Sequence, residues 1–260
     1  MSTPALRAVT PAAGVVLAPN PGPMTLEGTN TWVLRAPGHE SCIVVDPGPL
    51  HEAHLAAVAG CGPVAVVLLT HGHLDHSEGA RRFAELTGAK VRALDPAHRL
   101  GDEGLGEGDV VAEAGLEVRV WATPGHTSDS LSFLLHEGGD GPAAVLTGDT
   151  VLGRGTTVVA HPDGLLTDYL ASLRRLRALD GLSVLPGHGP ELADAGAVAA
   201  YYLRHREQRL AQVRAAVTAG AGTAEQVVET VYADVDRSLW PAATLSVRAQ
   251  LDYLADERAS

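Results

Sequence analysis

Val64-Ala65-Val66-Val67-Leu68-Leu69-Thr70-His71-Gly72-His73-Leu74-Asp75-His76 is the stretch from which the rest of the chain can be read. An uninterrupted apolar run rich in valine reads as a buried strand. The chain then emerges into a loop that carries three histidines and one aspartate between positions 71 and 76. In extended chain, residues two apart project to the same side, which places His71 and His73 together. Asp75 and His76 come after the chain turns, at the entry to a helix, and can face a second centre a short distance away. Gly72 permits the close backbone turn. Imidazole nitrogen and carboxylate oxygen are ligands suited to zinc, which takes four such donors or three plus water. A histidine-rich loop that merely caps a helix is the competing explanation, and four donors in so short a stretch after a buried strand argue against it.

Working outward, three distant segments carry further donors. They are Thr123-Pro124-Gly125-His126-Thr127, Thr147-Gly148-Asp149-Thr150 and Pro186-Gly187-His188-Gly189-Pro190, and each follows an expected strand and contains glycine. A lone histidine in such a loop is more often a turn residue, and a lone aspartate after glycine more often a helix cap. The same arrangement repeated three times is not readily a coincidence.

From Gly14 to about Leu185, short β-rich runs alternate with short amphipathic helices, with Gly or Pro at nearly every boundary. Strands are expected at Val15–Ala18, Thr31–Arg35, Cys42–Asp46, Val64–Leu69, Val91–Ala93, Leu116–Ala122, Leu131–Leu135, Ala143–Thr147 and Leu182–Leu185. Helices are expected at Glu52–Ala59, Gly79–Leu86 and Asp168–Leu179. Two halves echo each other: a strand with Trp32 leads to Asp46, and a strand with Phe133 leads to Asp149. That repetition suggests two similar sheets packed face to face. Beyond Gly196 the pattern becomes purely helical, with Val198–Ala216, Ala224–Tyr232 and Trp240–Ala255 as the expected helices. Thr223 with Gln226 fits a capping box and Pro241 a first helical turn. The expected division is a domain over residues 1–195 and a helical domain over 196–260.

Composition narrows the function classes. The chain has 260 residues, enough for a sizeable core, and is 45% hydrophobic and 19% charged, as folded soluble proteins are. Its apolar runs fall far short of the roughly 20 residues that span a bilayer. Residues 1–20 lack the basic start and apolar core of a secretory signal, so a cytoplasmic protein is expected. A formal charge of −12 would repel a polyanion over most of the surface. Cys42 and Cys61 are too few for a disulfide framework and read as buried small hydrophobes.

The order His71-x-His73-x-Asp75-His76, His126, Asp149, His188 resembles the metallo-β-lactamase superfamily, over about Gly14 to Pro190. The resemblance implies an α/β, four-layer αββα sandwich with metals at one edge between the sheets. It implies that His71, His73 and His126 hold one ion, that Asp75, His76 and His188 hold a second, and that Asp149 bridges them. Asp46 matches the family's first motif; holding the histidine loop through hydrogen bonds is its expected role, and a turn-forming Asp before Pro47-Gly48 the alternative. Two zinc ions are expected, with manganese and ferrous iron as the other candidates. Two zinc ions sharing a water would lower its pKa from about 15.7 to about 7. The expected nucleophile is thus a metal-bridging hydroxide, with Asp75 as the catalytic group that holds or relays the proton.

Within the superfamily, a bridging Asp149 resembles thioesterase, lactonase and phosphodiesterase branches rather than true β-lactamases. His73 stands where the diiron flavoprotein branch has Glu, and the RNA-gripping arm of tRNA-processing members has no counterpart. The segments Asn20–Thr31 and Gly153–Val158, with the helical tail, resemble the β-lactamase-like protein 2 group, whose animal members are similar to single-strand endoribonucleases. In that group the tail is winged-helix-like; here the wing is short or missing. The expected substrate is a small ester or thioester, with single-stranded RNA as the alternative and a non-catalytic binding module as a third reading. Asn30 and Thr31 either line the mouth of the site or stabilise a loop. Arg204, His205, Arg206 and Arg209 either reach an anionic substrate or form a solvated helix face. The remaining histidines receive no role.

Overall fold

The computed structural model describes residues 5–138 and 141–259; residues 1–4 and 260, at the outer ends of the two expected domains, and residues 139–140 lie outside the described residues. The first sheet is built in chain order from β1 (Arg7–Ala8), β2 (Ala13–Leu17), β3 (Asn30–Leu34), β4 (Cys42–Val45), β5 (Val64–Leu68) and β6 (Lys90–Arg92). Its first four strands pair antiparallel, then β4, β5 and β6 run parallel. Parallel neighbours need crossovers, and α1 (Glu52–Ala59) supplies one, while the short α2 (Leu74–Ser77) and α3 (Ala80–Thr87) supply the other. The second sheet holds β7 (Val110–Glu113), β8 (Leu116–Ala122), β9 (Leu131–His136), β10 (Ala144–Gly148) and β11 (Ser183–Pro186), in the spatial order β11-β10-β9-β8-β7. Only β10 and β11 pair parallel there, through the crossover helix α4 (Leu166–Leu176).

Alternation along the strands sorts the core into three layers. Trp32, Ile43, Val45 and Leu68 meet Val120, Phe133, Leu135 and Leu146 between the sheets. Their neighbours Val33, Val44 and Val67 point the other way, onto Leu55, Val58 and Phe83 of α1 and α3. Leu134, Val145 and Val184 likewise point away from the second sheet, onto Tyr169 and Leu173 of α4 and Tyr202 of α5 (Ala195–Thr218). Each fully buried Leu, Val or Phe contributes about 1.5–3 kcal/mol. Burial on both faces is what makes strands such as Val64–Leu68 read as continuous apolar runs. The result is the four-layer αββα sandwich.

The two halves do repeat. In each, an antiparallel hairpin (β3–β4, β9–β10) is followed by a parallel strand (β5, β11), and an aspartate follows the middle strand. The chain leaves those strands through a left-handed residue, Asp46 with φ 52° in one half and Gly148 with φ 47° in the other.

Two strands escape the sequence reading, β1 and β7. β7 joins β8 through the two-residue turn Ala114-Gly115, whose φ values of 53° and 72° are both positive, as a type I′ hairpin demands. Alanine in place of Asn or Asp hides that turn. The helix expected from Asp168 begins at Leu166 and ends at Leu176.

The tail comprises α5, α6 (Ala224–Val231) and α7 (Trp240–Ala259), and among the described residues no strand follows β11. α5 starts at Ala195 because the Asp194 side chain accepts the Ala197 backbone N–H at 2.9 Å, three residues ahead of the expected start. The boundary expected after residue 195 thus falls at the first turn of a helix that serves both parts. Ala199 and Tyr202 pack on the sandwich, whereas Val213 and Ala216 pack with α6 and α7. Thr223 caps α6 as expected, but the Gln226 side chain accepts from the Gly222 N–H at 2.7 Å instead of returning to Thr223. Among the described residues, no helix is long and apolar enough to cross a membrane.

Candidate metal centre

Asp46, Thr70-His71, Asp149 and His188 all follow the carboxyl ends of β4, β5, β10 and β11, so one edge of the sandwich gathers them. His126 arrives on the loop after β8. The strands end on neighbouring positions, and the ligand types cluster there for the same reason that ligands settle at strand carboxyl ends in open α/β sheets.

The ring nitrogens converge. His71 Nε2 lies 3.1 Å and His126 Nε2 3.0 Å from His73 Nδ1, while His76 Nε2 and His188 Nε2 are 3.2 Å apart. The Asp149 carboxylate reaches both groups: Oδ2 is 3.8 Å from His126 Nε2 and 3.2 Å from His188 Nε2, and Oδ1 is 3.5 Å from His76 Nε2. Asp75 Oδ2 lies 3.3 Å from His76 Nε2 and 3.1 Å from His188 Nε2. Donor atoms within 4.8 Å of one another group as His71, His73 and His126; as His71, His76 and Asp149; and as Asp75, His76 and His188. The seven side chains singled out in the sequence therefore meet in one place.

What holds the far side of each ring decides which nitrogen faces inward. His76 Nδ1 donates to Asp46 Oδ2 at 2.8 Å, His126 Nδ1 to the Val158 carbonyl at 2.7 Å, and His188 Nδ1 to the Gly28 carbonyl at 3.1 Å. Thr70 Oγ1 donates to Asp46 Oδ2 at 2.7 Å, so it accepts from His71 Nδ1 at 3.0 Å. Those four rings hold a proton on Nδ1 and aim Nε2 at the centre. Lone pairs facing one another at 3.0–3.2 Å repel unless a proton or cation sits among them. Asp149 Oδ1 is buried with no hydrogen-bond partner. Gly187 keeps the space beside it: a Cβ there would stand 2.5 Å from Asp149 Oδ1 and 2.7 Å from His76 Cε1. At Gly72 a Cβ would meet only the movable side-chain ends of His98 and Asp129, so close approach there does not demand glycine. This donor set fits divalent cations.

The electrostatics carry the same demand for positive charge. Burial works to lower His76 and His188, but Asp149 and the other carboxylates outweigh it, taking His76 well above its ordinary pKa and His188 up to about 9. His71 and His126, where burial prevails, sit below theirs, His71 well below. Burial opposes ionisation of Asp75 and Asp149, yet the neighbouring His76 and His188 hold both carboxyls well below the usual range.

Around the donors, Asp46 is buried at 1% exposure and accepts from the Thr70 N–H at 2.8 Å as well as from Thr70 Oγ1 and His76. It organises the histidine loop. Asn30 and Thr31 are both buried, and their contacts belong to loop support rather than to a mouth. Asn30 Nδ2 donates to the carbonyls of Pro186 and Gly189 at 3.0 and 2.8 Å, flanking His188, and Thr31 Oγ1 bonds His54 Nε2 at 2.9 Å. Neither lines the cavity at the centre. Thr29, which the sequence reading passes over, donates to Asp75 Oδ2 at 3.2 Å and is itself fixed by Asn20. Its polar side chain is one of several in Asn20–Thr31, and nothing in the sequence marks it from its neighbours.

A cavity of about 310 Å³ starts at His126 and Asp149 and runs beneath the helical tail, where Arg206, Tyr232 and Leu239 line it. The basic cluster divides. His205, Arg206 and Arg209 face this cavity, while Arg204 lines a separate depression with Arg174 and Glu207. The tail also grips the loop that orients His126: Arg206 Nη2 donates to the Thr157 carbonyl, and Ser246 Oγ accepts from the Val159 N–H at 3.2 Å.

Comparison with known proteins agrees with this architecture. Residues 24–188 match the metallo-beta-lactamase superfamily, and residues 223–258 match a beta-lactamase associated winged helix domain. The chain is 30% identical to a beta-lactamase-like protein 2 homolog of Drosophila melanogaster, over 98% of this chain and 91% of that one. It is 32% identical to an atrochrysone carboxyl ACP thioesterase of Aspergillus fumigatus, over 88% and 76% respectively. Among solved structures, a metallo-beta-lactamase family protein from Thermus thermophilus superposes with a TM-score of 0.80 at 23% identity, covering 97% of this chain and 96% of that one, a likeness of fold. The chain belongs to the metallo-beta-lactamase superfamily and is a metal-dependent hydrolase.

Proposed function

We propose that the centre holds two zinc ions and hydrolyses an ester or thioester. His71, His73 and His126 would hold one ion, Asp75, His76 and His188 the other, and Asp149 would touch both. The observation that carries this reading is the inward aim of the Nε2 atoms, each fixed by an oxygen on the far side of its ring. Bound there, a zinc pair supplies Lewis acidity at the substrate carbonyl and a water acidified to near neutral pH.

The protein's own groups do the rest. Asp75 is the one donor carboxylate with substantial exposure, 28% of its side chain, and Thr29 fixes its Oδ2. With Oδ2 turned to His76, His188 and Thr29, its other oxygen is left to take a proton and pass it to solvent or to the leaving group. Burial of Asp149, His76 and His188 excludes competing water from the opposite wall. The cavity beside His126 is lined by Met24, Leu26, Leu152, Val235 and Leu239, which suit an apolar acyl body. The thioesterase among the relatives supports the same substrate class.

Single-stranded RNA is less well served: His205, Arg206 and Arg209 in the same lining offer charge to a phosphate, but the apolar walls suit an acyl chain better than a ribose-phosphate backbone. Two free cysteines, one of them buried, accord with a cytoplasmic location. A panel of acyl thioesters, lactones and labelled RNA, assayed with and without a chelator, tests the reading. Chelator-sensitive thioester or ester hydrolysis that disappears in His71→Ala is the expected result. Cleavage of RNA alone, with the same two sensitivities, would replace it by the nuclease reading.

A further inference from the structure

Arg206 sits on α5 at the wall of the metal-site cavity and is only 4% exposed. Its Nη2 donates to the Thr157 carbonyl, its guanidinium lies 5.0 Å from the centroid of the Tyr169 ring, and its Nε has no partner. Among the described residues it forms no ion pair with a carboxylate, although other arginines do, as in Arg175 with Glu107 and Arg214 with Glu257. A guanidinium keeps its charge in any protein, and burying one without an anion is strongly unfavourable. The chain carries a net charge of −12, so acidic residues are plentiful, yet none is spent here.

Arg209, three residues on and therefore on the same helix face, lines the same cavity and bonds only to neutral oxygens, the Val231 carbonyl at 2.7 Å and Gln212 Oε1 at 3.1 Å. The same cavity is also lined by Met24, Leu26, Leu152, Val235 and Leu239. We propose that Arg206, with Arg209 beside it, is the recognition site for one carboxylate on the substrate. The apolar acyl body then fills the cavity between that carboxylate and the scissile carbonyl at His126 and Asp149. With Nη2 committed to Thr157, the site suits a monoanion and not a row of phosphates. The inference rests on the ester or thioester reading of the centre.

The test is a binding cycle on full-length, metal-loaded protein: calorimetric affinities for octanoate and for its neutral isostere octanamide, in wild type, Arg206→Gln and Arg209→Gln. Charge-assisted hydrogen bonds of this kind are worth about tenfold or more in affinity. Octanoate is expected to bind wild type about tenfold tighter than octanamide, and the ratio to fall to about threefold or less in either variant. A carboxylate held by the metals instead would keep its full advantage in both variants. That outcome, or the lack of any advantage in wild type, overturns the proposal. Arg209→Gln leaves the Thr157 contact intact and covers the case in which Arg206→Gln does not fold. A parallel assay separates this inference from its premise. Equal kcat/KM for ω-carboxyacyl and methyl-ended acyl thioesters would sink the subsite and keep the hydrolase. Failure to cleave any ester or thioester, with the octanoate ratio intact, would sink the substrate reading and keep the subsite.

Discussion

Asp46 and Asp149 occupy corresponding places in the two halves of the sandwich, each just after the middle strand of a hairpin-plus-parallel unit, and their surroundings are opposite. Every oxygen of Asp46 is engaged by Thr70 or His76. Asp149 has one oxygen with no hydrogen-bond partner and the other shared among imidazole nitrogens. The same fold position thus yields a carboxylate that builds the loop in one half and a carboxylate left open for a cation in the other. Only hydrogen-bond satisfaction tells them apart.

Substitutions at the two sites should separate activity from stability. Asp149→Asn is expected to lower hydrolysis by about 10³-fold, roughly 4 kcal/mol of transition-state stabilisation. In metal-free protein its melting temperature should fall less than that of Asp46→Ala, because what is lost is a charge beside His76 and His188 and not a hydrogen bond that builds the loop. Equal sensitivity of Asp46→Asn and Asp149→Asn to a chelator would erase the distinction drawn here. Asp46→Ala should destabilise the protein by about 3 kcal/mol even without metal. It leaves the Thr70 N–H and His76 Nδ1 buried and unpaired, and it puts alanine in a left-handed conformation. Urea melts of the chelated variant check that figure, and activity in excess zinc should fall about 10- to 100-fold.

His54 sharpens the picture of the supporting half. It is buried against Thr31, its Nδ1 has no partner, and burial lowers its pKa to about 4. The unfolded chain then binds a proton that the folded one refuses between about pH 6.5 and 4, so stability falls as pH drops through that window. The loss is about 3 kcal/mol at most. Metal-free wild type should show this slope and His54→Gln should flatten it; an unchanged slope would place the titration elsewhere. The smallest effect is expected at Thr29→Val, where Asp75 keeps its place among the donors but loses its hydrogen bond. About a tenfold drop in kcat with little change in melting temperature is the expected outcome.

Much of this centre was legible because its donors follow strands in glycine-marked loops. Val64–Leu68 could be read as a strand buried on both faces, and that alone put His71 and His73 at a sheet edge. Asp46 was legible by its place after β4. Less could be read where the answer depends on what lies across the fold. Asn30 turns toward the carbonyls around His188, a contact between residues more than 150 positions apart in the chain. Arg206 looked like one member of a solvated basic face, because helical spacing alone does not say which side of α5 meets the sandwich. The Ala114-Gly115 turn hid β7 for a local reason, the lack of the usual Asn or Asp.

Anomalous scattering at the zinc edge from crystals grown without chelator tests the central claim most directly. Two peaks about 3.5–4 Å apart are expected, one among His71, His73 and His126 and the other among Asp75, His76 and His188, with Asp149 between them. Crystals loaded with excess zinc that show no ion among these seven side chains would contradict it.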